Sequence, residues 1–195
     1  MSVEQDTEIN EIPESPEYRR IGISPSRQTY LKDNFQQIVT PIVDHLKLDI
    51  RYNTKRRCIE LKTNEQTTNP QAMTKAVDFL NAFNAGFEIP DALALVRLED
   101  IFLEQFDVTD IKLLEGDNLS RAVGRIAGKG GQIKYAIENA TRTRIALSDT
   151  KVSILGSVNS ARMAKRVICD LVMGSPANKI HAKLRNFQSW QKRQG

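Results

Sequence analysis

Apolar positions along the chain switch between two spacings, three-and-four and strict alternation, and the order of the switches repeats. After the turn residues Ser24, Pro25 and Ser26, the positions Leu31, Phe35, Ile38, Val39, Ile42 and Leu46 recur at helical intervals, with Pro41 set to kink or divide the helix. Leu48, Ile50 and Tyr52 then alternate with polar neighbours, as do Ile59 and Leu61 beyond the basic turn at 53–57, which predicts a hairpin with one buried face. Met73, Ala76, Val77, Leu80 and Phe83 return to helical spacing behind Pro70, and Gly86 is a stop. A short strand at 19–23 precedes the whole set.

The second half runs through the same order. Residues 90–98 predict a short helix begun by Pro90 and Asp91, and 102–111 a strand with Phe106 and Val108 on its inner side. Leu119, Ala122, Val123 and Ile126 share one helical face, and Ile133, Ala136, Ile137 and Ala140 share another, with GKGG at 128–131 between them. Ile145 and Leu147, then Val152 and Ile154, form a second hairpin; Ala161, Ala164, Ile168, Leu171 and Val172 close the module, stopped by Gly174 and Pro176. The first hairpin strand lies about 95 residues before the second, Ile50 against Ile145. Two copies of a strand, helix, helix, strand, strand, helix unit are therefore expected: 18–89 and 90–176, with a disordered acidic tail at 1–17 and a basic tail at 177–195.

Composition adds a partner to this α+β reading. The 195 residues are 40% apolar, a globular proportion, and they contain no run of 18 apolar residues and no apolar or basic leader near residue 1, so neither a membrane span nor a secretory signal is expected. Cys58 and Cys169 stand far apart within ordered patterns, as reduced thiols of an intracellular protein would. The net charge of +4 conceals a partition. Residues 1–17 hold six acids and no base; 18–87 hold eleven bases against six acids; 88–117 hold nine acids against two bases. From 118 onward, fifteen bases face three acids, a field that attracts a polyanion.

The glycine loop gives that field a geometry. Three of the four residues of GKGG lack a side chain, so backbone can approach a ligand closely, and the N-terminus of the helix starting at Gln132 points its N–H groups at the same place. A phosphodiester fits such a loop. A P-loop reading fails because Gly130, not Ser or Thr, follows Lys129, and a dinucleotide fingerprint fails because a helix, not a strand, precedes the glycines. Arg121 and Arg125 stand one turn apart on the preceding helix, opposite its apolar stripe; Lys129 is in the loop, and Lys134 follows it. Arg142 and Arg144 share a parity opposite to Ile145 and Leu147 and are expected to emerge together on the outer face of the strand. The first module has TPIVDH (40–45) where the second has its loop, and a basic cluster, Lys55, Arg56 and Arg57, at its hairpin tip.

The segment 124–156, GRIAGKGGQIKYAIENATRTRIALSDTKVSILG, resembles a type I KH domain. With DALALVRLEDIFLEQFDVTDI (91–111) and a preceding module without GxxG, the chain is similar to the partner-of-Nob, or Dim-type, KH proteins over about 18–190. The resemblance implies two tandem type I KH-like domains (βααββα), each a three-stranded antiparallel sheet with helices on one face, the first divergent. It implies an RNA loop at Gly128, Lys129, Gly130 and Gly131. It further implies binding to single-stranded precursor small-subunit rRNA near its 3′ end, partnership with a Nob-type PIN-domain endonuclease and other pre-ribosome assembly factors, and a nuclear and nucleolar location with shuttling to the cytoplasm. A KH-type regulator of messenger RNA stability or translation, or a protein scaffold using the acidic stretch, are the alternatives.

No catalytic constellation, metal site or cofactor is expected. His45 and His181 have no neighbouring Cys or carboxylate at ligand spacing, and the acids between Glu99 and Asp117 flank a strand and a turn. The tail at 177–195 mixes bases with Phe187 and Trp190, either as a single-strand binder or as a terminal helix packed on the body.

Overall fold

Both alternating stretches pair as hairpins, and each acquires a third strand. In the computed structural model, which describes residues 16–194, strands β1 (Tyr18–Gly22), β2 (Leu48–Asn53) and β3 (Cys58–Thr63) form an antiparallel sheet in the order β1-β3-β2. The acidic stretch at 1–15 lies outside the described residues. Directly opposed residues share a face. Ile21, Ile59 and Leu61 are buried on one side, while Arg20, Glu60 and Arg51 form a row on the other. Glu60 sits between its neighbours, accepting from Arg51 Nε at 3.1 Å and Asn53 Nδ2 at 3.1 Å, with Arg20 at 3.9 Å. Those hydrogen bonds, Asn53's foremost, together with a hydrogen bond from Tyr18 and the two guanidinium charges, hold its carboxyl below the ordinary value against the opposing effect of burial.

The helix expected over 31–46, with a kink or division at Pro41, is divided there and once more at Asn34. A 3₁₀ turn (Pro25–Arg27) leads into α1 (Gln28–Asp33) and α2 (Phe35–Thr40), separated by Asn34, whose φ of −116° leaves the helical region while its side-chain amide donates to the Tyr30 carbonyl at 3.1 Å. Pro41 does not kink a continuing α-helix; it opens a wider π turn, Pro41–His45. The apolar spacing survives the break, and Leu31, Ile38, Ile42 and Leu46 are all buried. Helix α3 (Ala72–Ala85) buries Met73, Ala76, Phe79, Leu80 and Phe83. The chain falls into two compact units that meet within α3, between Val77 and Asp78.

After α3 the second unit continues with two single turns, α4 (Ile89–Ala92) and α5 (Ala94–Arg97), where one helix over 90–98 was expected. Its sheet has the order β4-β6-β5, all antiparallel, from β4 (Phe102–Asp107), β5 (Arg144–Ser148) and β6 (Lys151–Gly156). The helices are α6 (Val108–Ile111), α7 (Gly116–Ala127), α8 (Gln132–Thr141), α9 (Val158–Val172) and α10 (Ala177–Gln194). Ile145, Val152 and Ile154 from the sheet pack with Ala122, Ile126, Ile137, Ala164 and Ile168 from α7, α8 and α9 in one core.

One further expectation is corrected here. The strand predicted over 102–111 ends at Asp107, whose carboxylate accepts from the Thr109 N–H while Asp110 accepts from the Asp107 N–H; this reciprocal cap starts α6 and delivers Val108 to the core from a helix. Of the two readings open for the basic stretch from 177, the structure takes the packed terminal helix: Ile180 and Leu184 on α10 enter the core. Among the described residues no helix is long and apolar enough to cross a membrane.

Candidate nucleic-acid interface

The loop between α7 and α8 is built by glycines that no other residue replaces equally. Gly128 closes α7, donating its N–H to the Gly124 carbonyl at 2.8 Å, and then turns at φ 73°. A Cβ there would stand 2.7 Å from Ile133 Cγ1 and 2.9 Å from the Ile133 backbone nitrogen, so the loop returns across a gap only glycine fits. Gly130, at φ 60°, faces open space. Gly131 sits left-handed at the start of α8, and no side chain caps that helix. The first-turn N–H groups and the positive end of the helix dipole therefore face the loop, with the exposed Lys129 beside them. The Gln132 N–H is spent on the Lys129 carbonyl; the N–H groups that follow it and the Lys129 ammonium are donors of the kind an anion takes.

A row of backbone donors and acceptors lies beyond α8. Strand β5 pairs only with β6, so one edge is open among the described residues. The Ile145 N–H projects from that edge and is accepted by Glu138 Oε1 at 2.7 Å; Glu138 is 5% exposed and belongs to α8. Leu147 has the parity of Ile145, so its N–H and carbonyl project the same way, unfilled by Glu138. The half-buried Leu147 side chain lends this edge apolar surface. Loop and edge together offer phosphate contacts followed by hydrogen-bonding positions of the kind that base edges use.

The remaining expected residues divide between places. Arg125 and Arg121 lie one and two turns back from the loop along α7 and line an open cleft with Lys112. Lys134 stands 3.8 Å from Glu138 and 5.3 Å from the Tyr135 ring. Arg142 is not in a strand: it is the left-handed C-terminal cap of α8, φ 55°, and exposed. Arg144 begins β5 on the face away from the core and contacts Asp91 with Nε at 3.2 Å, while Gly86 comes close to Ala146 on the same face. The two arginines therefore do not emerge as a pair, because strand parity starts one residue after Thr143.

Tyr135 and Glu138 escaped the sequence reading. Tyr135 is 57% exposed, and its ring lies beside Gly131, where a Cβ would be 3.1 Å from Cε2; an aromatic on the polar side of the helix behind a glycine loop was the available signal. Glu138 gave no signal, since a carboxylate serving a strand edge reads as a surface acid. In the first unit the loop's position, between the two helices, is taken by the break at Asn34 between α1 and α2; the stretch 40–45 expected there lies one element later, its π turn Pro41–His45 corresponding in chain order to the second half of α8, and Lys55, Arg56 and Arg57 are exposed at the hairpin tip. Among the described residues no group of three His, Cys, Asp or Glu is placed to hold a metal ion.

Comparison with known proteins identifies both units. Residues 105–189 match the eukaryotic type KH domain (KH-domain type I), and 23–98 match the Krr1 KH1 domain. The chain is 53% identical over 173 residues to the RNA-binding protein pno1 of Ixodes scapularis, covering 89% of this chain and 74% of that one. It is 49% identical to the pre-rRNA-processing protein PNO1 of Debaryomyces hansenii, covering 90% and 69%. A chain in the crystal structure of the a/eIF2alpha–aDim2p–rRNA complex from Pyrococcus horikoshii superposes with a TM-score of 0.79 at 25% identity, covering 89% of this chain and 95% of that one. The chain belongs to the Pno1/Dim2 family of KH-domain RNA-binding proteins, a non-enzymatic family.

Proposed function

We propose that this protein binds single-stranded precursor small-subunit rRNA near its 3′ end through the GKGG loop of its second unit, and there positions or regulates the Nob-type PIN-domain endonuclease that matures the RNA. The loop carries the reading: three glycines, two of them left-handed, bring an uncapped helix N-terminus and Lys129 to one exposed point in a strongly basic half. The names of the pre-rRNA-processing relatives and of the archaeal rRNA complex support rRNA as the ligand. The protein supplies position and the endonuclease supplies the cut. The first unit, with Asn34 and no glycine between its two helices, serves packing and protein contact with the endonuclease or other assembly factors. The protein accompanies pre-ribosomes from nucleolus and nucleus to cytoplasm.

Crosslinking in cells followed by sequencing tests this. One cluster of sites near the small-subunit 3′ end is expected, and it should vanish when Lys129 and Gly130 are both replaced by Asp. Sites dispersed over messenger RNAs would replace the reading with that of a messenger regulator.

A further inference from the structure

A cleft of about 730 Å³ opens on the flank of α7, between that helix, the segment leading from α6 and the C-terminal end of α9. Lys112, Arg121 and Arg125 line it over apolar surface from Leu114, Val172 and Met173. A volume of this order suits a small organic ligand, and here the walls are cationic and the floor is apolar. None of the three cations has a carboxylate within ion-pair distance among the described residues. That contrasts with Lys134, Arg144, Lys165 and Lys183 of the same unit, each of which has one.

The cleft is continuous with the loop. Asn118, Arg121 and Arg125 follow one another at helical spacing on α7, and the next position in the stripe is the loop itself, at Gly128 and Lys129. Arg125 reaches the end of α9: its Nη1 lies 3.5 Å from where a Cβ on Gly174 would be, close to helix-terminal carbonyls that favour a cation. Arg125 stands at the junction of loop and cleft, and Arg121 and Lys112 line the cleft beyond it. At the far end Glu115 and Asp117 turn the field negative, which limits how far a polyanion can run.

We propose that this cleft is a second RNA subsite, which seats a nucleotide of the same strand beyond those the GKGG loop holds. Its phosphate meets Arg121 and Lys112, and its base lies against Leu114 and Met173. The inference rests on the loop as the RNA site and adds to it. An acidic protein segment would also satisfy the charges, but the base-sized apolar floor and the direct run from a phosphate-binding loop favour the RNA strand.

The test uses the full chain and the twelve 3′-terminal nucleotides of small-subunit rRNA, shortened one nucleotide at a time from either end to four, with affinity read by fluorescence anisotropy. For the wild type, shortening from one end should cost more affinity than shortening from the other. K112E and R121Q should each weaken the twelve-nucleotide RNA about tenfold, and the loss should shrink as nucleotides are removed from the costly end. For each cation lost, the slope of log K on log salt should become shallower by about 0.7. Thermal melts establish that the variants fold.

Losses equal at every length, or absent at every length, would overturn the subsite. So would an aspartate dodecapeptide that displaces the long RNA from the wild type but not from K112E, since that assigns the cleft to acidic protein. If instead the double Asp variant at 129 and 130 bound all lengths like the wild type, the loop reading would fail whatever K112E does. A wild type that binds none of these RNAs overturns both.

Discussion

Two glycines in one loop answer to different constraints. Gly130 needs its left-handed backbone but has space around it, so Gly130→Ala should cost about 1 kcal/mol and leave the unit folded. Gly128, at φ 73° and ψ 176°, lies in a region open essentially to glycine alone and also has a Cβ position 2.7 Å from Ile133, so Gly128→Ala must shift α7 against α8 and should cost more than twice as much. Urea denaturation of the two variants checks the order; equal losses would mean that Ile133 moves freely. Buried carboxylates follow a different logic. Glu60 has its carboxyl held down in the folded chain, so its contribution is present above the ordinary value near 4.5 and is lost as pH falls through the lower folded one. Glu60→Gln should melt below the wild type at pH 7, and the gap should close below about pH 4. A gap that persists in acid would show that the carboxylate charge is not what the Arg20, Arg51 and Asn53 row uses. The glycine loop was legible in the sequence because glycines declare themselves; Glu60 and Glu138 were not, because only register and helix phase reveal what a carboxylate faces.

At the scale of elements, the apolar spacing was a good guide to what is buried and a poorer guide to where elements end. Phe106 and Val108 continue an alternating pattern across the point where β4 becomes α6, and the change is made by polar atoms: Asp107 also accepts from the Thr150 hydroxyl at 2.8 Å, tying the β5-β6 turn to the cap. Asp107→Ala should therefore cost about 1 kcal/mol or somewhat more, the range of a lost N-cap, with a lower melting temperature as the measure. The same reasoning explains Asn34, whose side chain ends α1 inside an unbroken apolar rhythm. Helix α10 was equivocal because its sequence is basic throughout, yet Ile180 and Leu184 are one turn apart and almost fully buried. Leu184→Ala should cost about 2–5 kcal/mol, while Trp190→Ala, on a ring 42% exposed, should cost far less. Similar losses for both would mean that the end of α10 packs as tightly as its beginning.

Across the whole chain, the duplicated plan was legible because each module repeats the same switches of apolar spacing, and the difference between the modules lies in a few residues at one junction. The first unit is basic too, with Lys55, Arg56 and Arg57 exposed at a hairpin tip, so net attraction for RNA does not separate the units. Geometry does. The tip is a turn of long flexible side chains, the charges of Arg20 and Arg51 on its sheet are partly answered by Glu60, and a single Asn34 between α1 and α2 takes the place of the glycine loop. A solvated cluster of this kind contributes weak, salt-sensitive attraction, whereas a preformed backbone site holds phosphates at fixed points. With about four phosphates engaged on a single strand, log K should fall with log salt at a slope near −3. Reversing the tip with Lys55→Glu, Arg56→Glu and Arg57→Glu should lower affinity only a few-fold and leave most of that slope, while the double Asp replacement at Lys129 and Gly130 should remove most of both. If the tip variant proved the more damaging, the grip would belong to the unit without a loop.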